Sequence, residues 1–187
     1  MDRTDLQTIQ RVRAGDQEAA RELVEAHAHA AFRLALSILD DPAEAEEAAQ
    51  DALMMALEHL DGFRQEAAFS TWLYTITVNT CRMRLRKRLR KRRLQAALQG
   101  LFRLDRYRNP DPEEAVIWSE VQAQVWAALQ RLGETERLVI ILRYYHDLPI
   151  HQIAQVLQVK DRTVYKYLKR AHSRLQVLLV SKIGVVE

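Results

Sequence analysis

Apolar positions along this chain recur at the three-and-four spacing of a helix face, not in the alternation of a strand. The run EAARELVEAHAHAAFRLALSIL follows Asp16, whose side chain suits a helix cap, and it stops at Asp40-Asp41-Pro42. Asp41 caps the next helix. Pro42 then falls at the first helical position, where its missing N–H costs nothing, and Glu44 at the third, where its carboxylate meets the positive helix end. This second helix is predicted to reach about Leu60, where Asp61-Gly62 breaks it. The loop FRQEAA leads to a long helix from Ser70 or Thr71 through Leu94. Phe69, Leu73, Ile76, Thr80 and Met83 are expected to form its buried stripe. After Cys81, arginine and lysine surround it except at Leu85 and Leu89, so the second half is expected to leave the core.

From Gln95 to Glu114 the period fades and ends in NPDPEE, where Pro110 and Pro112 disfavour helix at the residues before them. Residues 95–114 are read as a linker between a unit at 1–94 and a unit at 115–187. The second unit opens with AVIWSEVQAQVWAALQRL, TERLVIILRYYHDL and PIHQIAQVLQ, and closes with VKDRTVYKYLKRAHSRL. The last two segments have a helix-turn-helix layout: Ile150, Ile153, Ala154 and Leu157 face one way, and a short turn, Gln158 to Lys160, leads to a helix that Asp161 is expected to cap. With Val164, Leu168, Ala171, Leu175 and Leu178 turned inward, Arg162, Lys166, Lys169 and Arg170 point outward, where phosphates or base edges of a major groove would meet them. Tyr165 and Tyr167 lie on opposite margins of the apolar stripe. Either ring suits packing at the border or contact with a thymine methyl, DNA contact being slightly favoured for Tyr165 and border packing for Tyr167. A solvated basic face is the competing reading of this helix alone; the preceding helix and turn favour DNA.

Five glycines and four prolines in 187 residues leave little punctuation for a turn-rich fold, and the chain is read as all-α with two compact modules. Its net charge of +3 conceals a sharp asymmetry. Residues 1–80 hold 6 basic and 15 acidic groups, residues 81–108 hold 12 and 1, and residues 109–187 hold 10 and 9. The middle block should attract a polyanion, whereas the acidic first part fits a basic protein surface. One cysteine, Cys81, allows no internal disulfide, and the start MDRTDLQTIQRVRAGD lacks the apolar segment of a signal peptide. No apolar run approaches the roughly 20 residues that span a bilayer. A reducing, cytoplasmic setting is expected.

Little in the chain promises chemistry of its own. Glu44, Glu47 and Asp51 share a face, but His27 and His29 are two apart and no Glu-x-x-His occurs, so a protein-docking face is preferred to a metal site. Neither Cys81 nor any serine sits in a nucleophile signature, and no glycine-rich phosphate loop is present. A binding factor without cofactor or metal is therefore expected rather than an enzyme. The block CRMRLRKRLRKRR would suit a solvated run or an arginine-rich RNA-binding helix. It continues a helix carrying Phe69, Trp72 and Tyr74, however, which places faces for stacking unpaired bases beside charge that neutralises their backbone.

Three pieces together, AEAEEAAQDAL, FRQEAAFSTWLYTITVNTCRMRLRKR and LQRLGETERLVIILRYYHDLPIHQIAQVLQVKDRTVYKYLKRAHSRL, resemble bacterial RNA polymerase sigma factors of the extracytoplasmic function type. The resemblance implies that residues 1–94 are sigma region 2 and residues 115–187 sigma region 4. It implies that Glu44, Glu47, Gln50 and Asp51 dock on the clamp helices of the polymerase's largest subunit, and that region 4 meets the flap of the second-largest. It assigns Phe63, Arg64, Gln65, Phe69, Trp72, Asn79, Arg82, Arg86 and Lys87 to the −10 element of promoter DNA, and Arg162, Thr163, Tyr165, Lys166, Lys169 and Arg170 to the −35 element. An anti-sigma factor is an implied partner, and a helix-turn-helix regulator acting alone is the alternative. The chain departs from the family at Leu53 and Leu57, where aromatics are usual, at Gly133 for proline, at Gln158 for glycine, and at Lys160, Arg162, Tyr165 and Tyr167.

Overall fold

The computed structural model describes residues 3–101 and 120–180. Among the described residues eight α-helices make up the fold, and no strand occurs. In the first unit α1 is Arg3–Arg13, α2 Gln17–Leu39, α3 Pro42–Glu58 and α4 Phe69–Leu101, with a 3-10 turn at Leu60–Gly62. In the second, α5 is Glu120–Gln130, α6 Glu134–Ile140, α7 Ile150–Leu157 and α8 Asp161–Val180.

The helix boundaries follow from local chemistry. Asp16 accepts from the amides of Glu18 and Ala19 at the start of α2, and Asp41 accepts from that of Glu44 at 2.8 Å at the start of α3. Asp40 ends α2 in the left-handed region at φ 56°, its N–H bonded back to Leu36. The α6 stretch passes into a π turn at Ile141–Tyr145 and ends at His146, three residues before Pro149 precedes α7. Several expectations change: Met83, expected in the buried stripe of α4, is 55 % exposed, and α4 begins at Phe69 rather than Ser70 or Thr71. The N-terminal α1 has no counterpart among the expected helices. Asp161 is the first residue of α8 rather than its cap, since the amides of Thr163 and Val164 bond to the Lys160 carbonyl. The long helix runs to Leu101, seven residues past Leu94, because LQAALQGL offers good helix formers and no proline. The rest of the expected linker, residues 102–119, lies outside the described residues.

Helices α1 and α2 pack together, and α2, α3 and α4 pack pairwise, enclosing Ile9, Leu23, Leu53, Leu60, Phe63, Phe69 and Leu73. Arg13 of α1 ties this core to the loop by donating to the carbonyls of Leu60 and Phe63 at 2.7 and 2.8 Å. A second apolar cluster joins the two units. Leu34, Ile38 and Leu39 of α2, with Val78 and Cys81 of α4, share it with Leu138, Ile141, Ile153 and Val164. Helix α7 lies on α4, while α5, α6 and α7 all support α8. Burying one such leucine contributes about 1.5–3 kcal/mol, so the seam between units is part of the core.

Candidate nucleic-acid interface

The acidic helix does share one face, but arginines of α4 partly cover it. Arg84 pairs with both Glu47, at 2.8 Å, and Asp51, and Arg88 lies 3.5 Å from Glu44. The two carboxylate bonds, to Glu47 first and then Asp51, raise the Arg84 guanidinium above its ordinary range. Glu47 and Asp51 remain largely exposed on their outer edges, as does Gln50. Met54 stands out beside them, 59 % exposed. The acidic patch is thus a half-neutralised rim with one apolar projection, not a free anionic face.

The residues expected at the −10 element separate into two layers. Phe63 and Phe69 are 3 % and 4 % exposed, and their rings meet edge to face at 5.7 Å. Trp72, half-buried, lies against both at 5.3 and 5.7 Å. The aromatic faces expected to receive bases are therefore largely spent on the core, because the loop folds back over α4 and presses them inward. Phe63 and Phe69 support the surface and do not form it. What reaches solvent is Arg64, Gln65 with its backbone at φ 61°, Asn79, Arg86 and Lys87. Arg82 is half-buried and gives its Nε–H to the Glu134 carboxylate at 2.8 Å. Leu85 packs against the joint core whereas Leu89 is exposed, so α4 leaves the core later than its charge pattern suggests.

In the second unit α7 ends with Gln158 at φ 55°, a conformation that costs a residue with a Cβ, and this turn sets α8 across α7. Val164, Leu168 and Ala171 are buried, while Arg162, Lys166, Lys169 and Arg170 are exposed and Thr163 is half-buried. The tyrosines part company: Tyr165 is 62 % exposed, whereas Tyr167 packs against the core. Lys166, Lys169 and Arg170 continue into an open basic depression with Ser173, Arg174 and Glu136, where Arg174 pairs with the otherwise buried Glu136 carboxylate. Sequence reasoning left out Ser173 and Arg174, although both lie one turn beyond Arg170 on the same outer face.

No cluster of side chains able to hold a metal occurs among the described residues, and none of their helices is long and apolar enough to cross a membrane. Cys81 is wholly buried, and burial pushes its thiol up to about 12, so it serves as a core residue. His27 bonds to Asp5 at 3.2 Å and sits edge-on to Phe69, a packing role.

Residues 23–91 match the sigma-70 region 2 family and residues 122–175 the sigma-70 region 4 family. The chain is 31 % identical over 173 residues to the ECF RNA polymerase sigma factor SigW of Bacillus subtilis, covering 90 % of this chain and 92 % of that one. It is 32 % identical over 180 residues to the RNA polymerase sigma-H factor of Pseudomonas aeruginosa, covering 94 % and 93 %. Among solved structures, the sigma factor RpoE of Bartonella quintana, in complex with the anti-sigma factor NepR, is similar at TM-score 0.63 and 26 % identity, covering 87 % of this chain and 97 % of that one. CnrH, in complex with the cytosolic domain of CnrY, has the same fold at TM-score 0.68 and 24 % identity, covering 96 % and 99 %.

Proposed function

The chain belongs to the extracytoplasmic-function sigma factors of bacterial RNA polymerase, and from that membership we propose how its surfaces divide the work of promoter-specific initiation. The rim of Glu44, Glu47, Gln50 and Asp51, with Met54 as an apolar projection at its end, docks on the clamp helices of the largest polymerase subunit. Region 4 meets the flap of the second-largest and sets α8 in the −35 major groove, where Arg162, Thr163, Tyr165, Lys166, Lys169 and Arg170 meet the DNA. Arg64, Gln65, Asn79, Arg82, Arg86 and Lys87 hold the non-template strand of the melted −10 element, over a base of Phe63, Phe69 and Trp72. Residues 1–94 and 115–187 act as the two working units, with 95–114 between them.

No covalent step is required of the chain. A factor that binds the open form more tightly than the duplex shifts the melting equilibrium by that difference in affinity. The observation that carries this reading is the pairing, on one chain, of two outward basic faces: one continues a helix rooted in an aromatic core, the other is the second helix of a helix-turn-helix. The work is done in the cytoplasm, with the polymerase. A relative bound to an anti-sigma factor supports a partner of that kind here.

Transcription reconstituted with purified core enzyme tests the reading, on promoter fragments selected from host DNA by the holoenzyme. Promoter-dependent RNA that requires the added chain is expected. Tight, specific duplex binding by the chain alone, with no stimulation of core enzyme, would instead identify a stand-alone regulator.

A further inference from the structure

We propose that Arg13, the last residue of α1, is a positioning residue for promoter melting: it braces the turn from which the strand-holding loop departs, and so fixes where Arg64 and Gln65 stand. The proposal rests on the reading of that loop as a contact of the melted −10 strand. Helix α1 carries none of the surfaces assigned to polymerase or DNA, yet it is firmly seated. Ile9 is wholly buried in the same apolar cluster as Leu23, Leu60 and Phe63. Arg11 pairs with Asp16 at 2.7 Å and Glu22 at 2.8 Å, which fixes the junction with α2.

From this fixed base Arg13 reaches 47 and 50 residues along the chain. Its Nη2 donates to the Leu60 carbonyl at 2.7 Å and to the Phe63 carbonyl at 2.8 Å, the entry and the exit of the 3-10 turn. The turn's own bonds are Gly62 N–H to the His59 carbonyl at 2.9 Å and Phe63 N–H to the Leu60 carbonyl at 3.0 Å. One 3-10 turn that ends in a glycine has little stiffness of its own. A charged donor shared between its two ends supplies that stiffness, because charge-assisted bonds are the stronger kind. Beyond Phe63, which is extended, Gln65 turns left-handed at φ 61° and the chain comes back to α4 at Phe69. The Phe63 ring is held against Phe69 and Trp72. Arg13 thus fixes the backbone of Phe63 while the aromatics fix its side chain, and Arg64 and Gln65 leave in a set direction. The Arg13 side chain is only 28 % exposed, and its other neighbour, Asp61 at 3.8 Å, is 94 % exposed, a pair too wet to contribute much. The guanidinium is turned to the protein, so it holds the loop and does not meet phosphate. A loop ordered beforehand binds the unpaired strand without the cost of ordering on contact.

The test uses holoenzyme reconstituted with the full chain, on a promoter fragment it selects, and reads permanganate reactivity of unpaired thymines near −10. Arg13→Ala should lower that reactivity about three- to tenfold, the worth of one net hydrogen bond. Protection of the −35 duplex and the salt dependence of opening should stay at the parent's values, since no phosphate contact is lost. Retained −35 protection also shows the variant to be folded; Arg13→Gln, a smaller change, takes its place otherwise. Arg13→Lys, which keeps a charged donor, should recover most of the loss. Asp61→Ala, which leaves both carbonyl bonds, should open the promoter as the parent does. In a chain already carrying Arg64→Ala and Gln65→Ala, Arg13→Ala should add no further loss, because a positioning residue acts only through the side chains it positions. Normal opening by Arg13→Ala overturns the proposal, as does a shallower salt dependence, or a further loss in that background. If Arg64→Ala with Gln65→Ala opens the promoter like the parent, the loop's strand-holding role fails, and the proposal with it.

Discussion

At the scale of single residues, titration and backbone conformation give direct expectations. His146 sits in the seam, edge-on to Tyr74, near Ser37, and facing Arg33, Tyr145 and Asp147. Burial first, and then Arg33, push its imidazole from 6.5 down to about 4, with Asp147 opposing. A base whose pKa is lower when folded is favoured neutral in the fold. Its contribution is complete above about 6.5 and is lost as pH falls towards 4, by on the order of 2–3 kcal/mol. Denaturant unfolding between pH 7.5 and 4.5 should show this loss, and His146→Leu should flatten it; an equal slope in both would refute the assignment. Gln158 holds φ 55°, so Gln158→Gly should raise stability by roughly 0.5–1 kcal/mol, seen as a higher urea midpoint. Its position was legible in the sequence as the turn residue, but the strain had only the family's usual glycine there to announce it, because glutamine itself gives no signal of a left-handed backbone.

Among the elements, caps and periodic stripes were the most readable part. Asp16 and Asp41 both cap as their spacing implied, since a side chain that bonds two or three residues ahead is a local matter. Asp41→Ala should therefore cost about 1 kcal/mol in thermal or urea unfolding. The basic run of α4 was less readable. Its charge pattern suggested a helix standing free, yet Arg84 and Arg88 turn back to α3 and Arg82 to α6, and such partners lie 33 to 52 residues away. Arg84→Ala should lower stability by less than about 1 kcal/mol, as expected of ion pairs with exposed carboxylates. That deficit should shrink in about 1 M NaCl, where screening is nearly complete; a deficit unaffected by salt would point to packing instead. Helix α1 escaped sequence reasoning because its stripe is short, and its burial depends on a groove that only the folded unit supplies.

For the whole molecule, the all-α class, the two modules and the helix-turn-helix were legible, since each is written in local period and charge. The shared apolar cluster between units was not. Leu34, Ile38 and Val78 read as ordinary core positions of the first unit, and nothing in their spacing tells which partner covers them. The same limit applied to Phe63 and Phe69: an aromatic beside a basic run suits base stacking and core packing equally until the loop's path is known. The proposed −10 surface is accordingly Arg64, Gln65, Asn79, Arg82, Arg86 and Lys87, with the aromatics beneath it. The most direct test of that assignment is permanganate reactivity of unpaired thymines near −10 in the holoenzyme, compared between the parent chain and Arg86→Glu with Lys87→Glu. The expected result is at least roughly a tenfold fall in reactivity with protection of the −35 duplex retained. The salt dependence of opening should also become shallower, by about one unit of log–log slope for each phosphate no longer neutralised. Thymine reactivity equal to the parent's in the charge-reversed variant would contradict it.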